Sequence, residues 1–245
     1  MNATLHIIGV GPGDPELLTR KALCTLEACP VIATPKGSKD GSSTALSIVE
    51  QALSLKGKEV IELFFPMKKI HLDTAPAVEV QEAWKEAAVQ ILNFMKQGKD
   101  VVFPTLGDPA IYSTGYYLYE TILSLQPDTR VKFVPGISAM SSCSAATSIP
   151  ICLGDDKLAV IPATFSGEQL RQTLESFDTI VLMKVHRVLD RIVGLLRELD
   201  LLEKAVLVER AGMKEENILT DLGSITDQVH YFSTIIVRKR SGCRR

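Results

Sequence analysis

The sequence predicts an α/β protein of two domains, with a mainly parallel N-terminal sheet and a mixed C-terminal sheet. Three observations predict it. Through the first part of the chain, short apolar runs alternate with longer amphipathic ones. Turn-forming glycines and prolines follow several of the short runs. Past residue 200 the short runs come too close together for intervening helices, which favours antiparallel pairing.

Leu5 to Val10 reads as a buried strand, bounded by Gly9, Gly11 and Gly13. A helix is expected over Glu16 to Cys29, with Leu17, Leu18, Ala22 and Leu26 on its apolar face, Asp14 as N-cap and Pro15 at its first position. Strands at Val31–Ala33, Val60–Phe65, Val101–Phe103 and Val131–Val134 then alternate with helices at Thr44–Leu55, Val78–Lys96, Tyr116–Leu125 and Ile137–Thr147. That rhythm implies a parallel sheet covered on both faces. It breaks near Ile149-Pro150-Ile151. Beyond it come strands at Leu158–Ile161, Thr179–Met183, Ala205–Val208, Ile218–Leu222 and Tyr231–Val237, with helices at Glu168–Leu174 and Leu189–Leu199. The domains are written as 1–125 and 126–245, the boundary lying between about Ser124 and Leu153.

The chain has 245 residues, 46% of them hydrophobic, so two cores are within reach. A net charge of −2 argues against nucleic acid as a partner. The tail residues Arg238, Lys239, Arg240, Arg244 and Arg245 are expected to be solvated and frayed. No apolar run approaches the ~20 residues that span a bilayer, and no leader pattern is visible, so a cytoplasmic address without membrane is expected. Five cysteines include no C-x-x-C pair. Cys24 and Cys143 fall on apolar helix faces, so buried free thiols are expected. Four scattered histidines give no ligand pair and no protein-held metal is expected.

Three segments carry candidate chemistry. Gly9-Val10-Gly11-Pro12-Gly13-Asp14 joins the first strand to the first helix. It is not a dinucleotide fingerprint, because the third glycine comes one position early and Thr34-Pro35-Lys36-Gly37 supplies no acid for a ribose. It is not a P-loop either. Thr105 to Thr114 follows the fourth strand, where open α/β sheets bind ligands. Asp108 there either accepts from a ligand or closes its own turn. Val134-Pro135-Gly136-Ile137-Ser138-Ala139 repeats the arrangement, with Ser138 as cap or ligand contact. A serine nucleophile is disfavoured, because there is no G-x-S-x-G turn.

Taken together, Gly-x-Gly-Pro-Gly-Asp, Gly107-Asp108-Pro109 and Pro135-Gly136-Ile137-Ser138-Ala139 resemble the tetrapyrrole (corrin/porphyrin) methylase family. Val181-Leu182-Met183 and Val208 to Met213 extend the likeness over about residues 5 to 237. The nearest resemblance is to the branch that methylates precorrin-2 or cobalt-factor II at C20 on the route to cobalamin. Its signals here are Gly107 to Thr114, Phe65-Pro66-Met67-Lys68 with Trp84, Gly154 to Ala163, and Tyr231-Phe232-Ser233. The resemblance implies a class III methyltransferase fold with a cleft between its domains, S-adenosylmethionine as methyl donor, and a homodimer. It places the donor against Pro12, Leu106, Gly107, Asp108, Ile111, Ser138, Ala139, Met183 and Gly212, largely through main-chain atoms. Leu106 departs from the family, where glycine is common.

A precorrin-type substrate carries many carboxylates, so a chain of net charge −2 must gather cations around it. Lys68, with Lys69 and His71, and then Lys184 and Arg187 are the candidates, arginine because its planar fork suits carboxylates. In-line placement of an activated methyl donor is worth about 7–11 kcal/mol, so little acid–base machinery is needed. No catalytic base is identified; Asp108 and Tyr112 are near by motif only. The other readings are a methylase of another corrin position, of uroporphyrinogen or of a protein (diphthine formation), a nucleotide oxidoreductase, and a non-catalytic binding protein.

Overall fold

A computed structural model describes residues 3–66, 75–226 and 228–240. Ten strands and seven α-helices are described, in two compact units, Met1–Ser138 and Ala139–Arg245.

The first unit contains β1 (Thr4–Gly9), α1 (Arg20–Ala28), β2 (Val31–Lys36), α2 (Thr44–Ala52), β3 (Glu59–Phe64), α3 (Val78–Lys96), β4 (Val101–Thr105), α4 (Gly115–Leu125) and β5 (Arg130–Val134). The strands form one parallel sheet in the order β3-β2-β4-β1-β5. From β1 the chain crosses over β4 to reach β2, and from β4 it crosses over β1 to reach β5. Right-handed crossovers running in opposite directions place helices on opposite faces. Accordingly α1 and α2 bury Ala22, Leu26, Ile48 and Val49 against Ile8, Ile32 and Val102. On the other face α3 and α4 bury Trp84, Ile91, Leu118 and Ile122 against Leu5, Ile7, Val101 and Phe103. Trp84 stacks on Phe65 at 5.2 Å and donates its indole N–H to Pro66 O at 3.0 Å, so its one polar atom is satisfied.

The second unit contains α5 (Ala139–Thr147), β6 (Leu158–Pro162), α6 (Gly167–Ser176), β7 (Thr179–Met183), α7 (Leu189–Glu198), β8 (Ala205–Glu209), β9 (Asn217–Leu219) and β10 (Ser233–Arg238). Its sheet runs β6-β7-β10-β8-β9, parallel between β6 and β7 and antiparallel elsewhere. Helices α6 and α7 cover one face through Leu170, Leu174, Ile192 and Leu196, and Cys143 of α5 packs on the other against Val181 and Ile236.

Several expectations change. The units divide after Ser138, within the expected range of Ser124 to Leu153 though later than the boundary written at 125, because β5 hydrogen-bonds to β1 and so completes the first sheet. The first helix is two pieces: Asp14 caps a 3-10 turn at Pro15–Leu17, and Thr19 caps α1 by accepting from Ala22 N at 3.1 Å. Strand β4 runs on to Thr105 through Pro104, whose missing N–H faces β2, where pairing is confined to Val31 and Ile32. The strand expected at Ile218–Leu222 is shorter, since Leu222–Ser224 turns as a 3-10 helix.

The basic tail is not frayed as far as it is described. Arg238 is buried and pairs with Asp156 at 2.7 Å; Arg240 pairs with Asp178 at 2.9 Å and Asp155 at 3.0 Å. Amide donation from Leu153 and then Arg238 hold the Asp156 carboxyl below its usual range. Arg244, Arg245 and Cys243 lie outside the described residues. Cys24 is exposed, contrary to expectation, while Cys29 and Cys143 are buried.

Candidate active site

All strands of the first sheet point the same way, so the turns after β1, β4 and β5 leave one edge. Opposite crossovers from β1 and β4 open a crevice at that edge, the usual ligand position in such sheets. The turns are stitched together by main chain. Gly11 N donates to Gly107 O at 3.3 Å, Gly107 N to Gly11 O at 2.7 Å, and Val10 N to Thr105 O at 2.9 Å. A Cβ on Gly9 would sit 2.5 Å from Gly107 O and 2.7 Å from the Gly136 Cα, and one on Gly136 would sit 2.7 Å from the Gly9 Cα and also collide with Gly107 O. Glycine at 9 and 136 is therefore a requirement of close backbone approach.

Asp108 completes the stitching. One carboxylate oxygen accepts from Ala110 N at 2.8 Å and closes its own turn; the other accepts from Gly136 N at 2.8 Å, 28 residues away. Of the two roles open to Asp108 in the sequence, the structure displays the structural one, extended to a bracket between two turns. Pro12 and Ser138 are buried, and Ile111 is half-buried. Leu106 packs against the apolar cluster of Ile8, Val10 and Ile32, so a side chain is tolerated where relatives have glycine. Tyr112 adopts a left-handed φ of 49°, and burial pushes its hydroxyl above the usual phenol range. Between residues 9–14, 105–114 and 134–139 the turns carry Asp14 and Asp108 and neither Lys nor Arg.

The second sheet has a corresponding edge, formed by the ends of β7 and β8 and the start of β10. Met183 packs its side chain on the Cys143–Val181 cluster, and its carbonyl accepts from Ala163 N at 2.7 Å. Ala139 opens α5. Gly212 has φ 73° and its N–H goes to Glu216 at 2.7 Å. Lys184 and Arg187 are both exposed on the turn after β7. Lys184 stands at φ 63°, and partial desolvation pulls its ammonium below the usual lysine range. Lys68, Lys69 and His71 lie outside the described residues.

Of the candidate residues, Pro12, Leu106, Gly107, Asp108, Ile111 and Ser138 thus gather on the edge of the first sheet. Ala139, Met183, Gly212, Lys184 and Arg187 belong to the second unit. Sequence reading missed Gly9 and Gly136 as the contact points of the turns, although both stand in the quoted motifs. It also missed the left-handed residues Tyr112, in the loop after β4, and Lys184 and Arg210, at the ends of β7 and β8, which no residue type announces. It passed over His186, which packs edge-on to Tyr231 at 4.9 Å. Among the described residues, no group of three or more His, Cys, Asp or Glu is placed to hold a metal ion, and no helix is long and apolar enough to cross a membrane.

The model of the family described as Tetrapyrrole (Corrin/Porphyrin) Methylases matches residues 4–226. The chain is 34% identical to the cobalt-precorrin-2 C(20)-methyltransferase of Salmonella typhimurium over 98% of both chains. It is 32% identical to the precorrin-2 C(20)-methyltransferase of a Sinorhizobium species, covering 94% of this chain and 93% of that one. Among solved structures, uroporphyrin-III C-methyl transferase from Thermus thermophilus complexed with S-adenyl homocysteine has a TM-score of 0.68. That match covers 97% of this chain and 98% of the other at 21% identity, a likeness of fold.

Proposed function

This chain belongs to the tetrapyrrole (corrin/porphyrin) methylases, and from that premise we propose that it transfers a methyl group from S-adenosylmethionine to C20 of precorrin-2 or its cobalt complex, a step of cobalamin formation. The full-length likeness to two C20-methyltransferases carries the reading.

S-adenosylmethionine supplies a methyl group already activated on a sulfonium. The turns of the first sheet fit such a donor. They are rich in main-chain groups, fixed by glycine contacts and by Asp108, and carry carboxylates without cations. Pro12, Leu106, Gly107, Asp108, Ile111, Ser138, Ala139, Met183 and Gly212 would hold it. Asp108 acts mainly by keeping the turns after β4 and β5 in register, since both its oxygens already accept amides. A site pre-assembled in this way orients the methyl without reorganisation at the moment of transfer.

The substrate, in contrast, is a polycarboxylate. Lys184 and Arg187 bind its carboxylates, and Lys68 joins them. The proton leaving C20 goes to water: Tyr112 stays a neutral phenol near neutral pH, and the Asp108 oxygens are engaged. The protein works in the cytoplasm as a homodimer and needs no metal of its own.

The test is incubation with methyl-labelled S-adenosylmethionine and either precorrin-2 or its cobalt complex, read by NMR. Label at C20 is the expected result, and the better substrate identifies the pathway. Label at another ring position, or on neither compound, would overturn the reading.

A further inference from the structure

The edge of the second sheet holds a group of rings that the donor site does not use. Tyr231 is 58% exposed, high for so large an aromatic side chain. His186 meets it edge-on at 4.9 Å, Phe232 at 5.0 Å, and His230 lies 5.6 Å from Phe232. This segment is fixed in place. His230 N donates to the buried Glu209 at 2.5 Å, and Glu209 also accepts from Asn217 at 3.1 Å. Phe232 N donates to His230 Nδ1 at 3.2 Å, and Phe232 O accepts from Arg210 N at 2.7 Å. An exposed ring held this firmly is preorganised to meet a flat ligand.

Charge points the same way. Lys184 and Arg187 flank His186 in the chain, and Arg210 stands across the edge at a left-handed φ of 51°. The acidic groups nearby are committed locally: Glu209 as above, Glu216 to Gly212 N at 2.7 Å, and Glu215 to Arg210 at 3.7 Å. Two left-handed non-glycine residues, Lys184 and Arg210, at the ends of β7 and β8, the strands on either side of β10, are costly features that a functional surface accounts for. The Nδ1 atom of His186 is buried without a hydrogen-bond partner. That disfavours an imidazolium there and leaves a neutral ring for stacking, in line with the downward pull of burial on its pKa.

We propose that Tyr231, braced by His186, is the bed on which the face of the tetrapyrrole ring lies, while Lys184 and Arg187 take its peripheral carboxylates. The inference rests on the function proposed above and deepens it by naming the residues that hold the macrocycle. An aromatic surface for the apolar ring face and cations for the anionic rim are the two chemistries that this edge presents together.

The experiment measures binding of the cobalt complex of the tetrapyrrole by anaerobic absorbance titration, with S-adenosylhomocysteine affinity by calorimetry and turnover measured alongside. Tyr231→Ala is expected to weaken tetrapyrrole binding roughly tenfold and leave S-adenosylhomocysteine affinity unchanged. Tyr231→Phe restores binding to within about twofold of wild type, and His186→Ala loses a few-fold. Unchanged tetrapyrrole binding in Tyr231→Ala, with wild-type turnover intact, overturns the inference and leaves the C20 reading standing. Parallel loss of both ligands also overturns it, because a merely structural role would do that. A wild-type protein that shows neither tetrapyrrole binding nor turnover sinks both. If Tyr231→Ala does not fold, Tyr231→Leu is read against the same outcomes.

Discussion

The edges of the two sheets are built by opposite means. At the first, main chain does the work: Gly9, Gly107 and Gly136 touch backbone to backbone, and the side chain of Asp108 is spent on holding two turns together. At the second, side chains do the work: Lys184, His186, Arg187 and Tyr231 stand out from a strand edge braced by Glu209 and Phe232. The first edge carries carboxylates and no cation, while the second carries lysine and arginine beside carboxylates already engaged by Arg210 and main-chain amides. The proposed cationic donor matches the charge of the first edge, and the proposed polyanionic substrate that of Lys184 and Arg187 on the second. Main-chain recognition depends on shape and tolerates changes such as Leu106, whereas side-chain recognition can be retuned one residue at a time. That division suits a family sharing one donor.

The sharpest way to break the comparison is Gly136→Ala. The added methyl collides with backbone on two sides, and overpacking of this kind costs about 3 kcal/mol. S-adenosylhomocysteine affinity is expected to fall at least roughly tenfold, measured by calorimetry, with the thermal midpoint of the first unit lowered. A wild-type affinity would mean that the contact of the three turns is not what holds the donor.

The double variant Lys184→Met/Arg187→Met acts on the other edge. Both side chains are exposed, so solvent discounts each contact. The KM for the tetrapyrrole is expected to rise about tenfold, less steeply at high salt, with S-adenosylhomocysteine affinity unchanged. An unaltered KM would remove the second edge from substrate binding.

Much of this contrast is legible in the sequence and part is not. Alternating apolar runs disclose the strands because a buried parallel strand must be apolar throughout, as at Val101–Val102–Phe103. The turns are visible as Gly9 to Asp14, Thr105 to Thr114 and Val134 to Ala139 because glycine is needed where backbones touch. The fate of the Asp108 carboxylate is not visible, since its partner Gly136 is 28 residues away. Nor is the burial of Arg238, which follows from Asp156 meeting it across 82 residues. The division after Ser138 depends on β5 choosing β1 as neighbour, a pairing that periodicity does not encode.

The smallest expected effect treats the two units alike. Burial raises the Cys29 thiol to about 11 and the Cys143 thiol to about 12. At pH 8 both are protonated as well as covered, and the thiolate is the reactive form. A disulfide reagent should modify exposed Cys24 and Cys152 quickly and reach Cys29 and Cys143 only on unfolding. Rapid reaction at Cys143 would mean that α5 does not stay packed on the second sheet.

Residue-resolved amide hydrogen exchange, with each ligand added separately, tests the division of labour most directly. The account predicts that S-adenosylhomocysteine slows exchange at residues 106–111 and 136–139, and that the tetrapyrrole slows it at residues 184–187 and 230–232. Exchange at 106–111 and 136–139 that is indifferent to S-adenosylhomocysteine would contradict it.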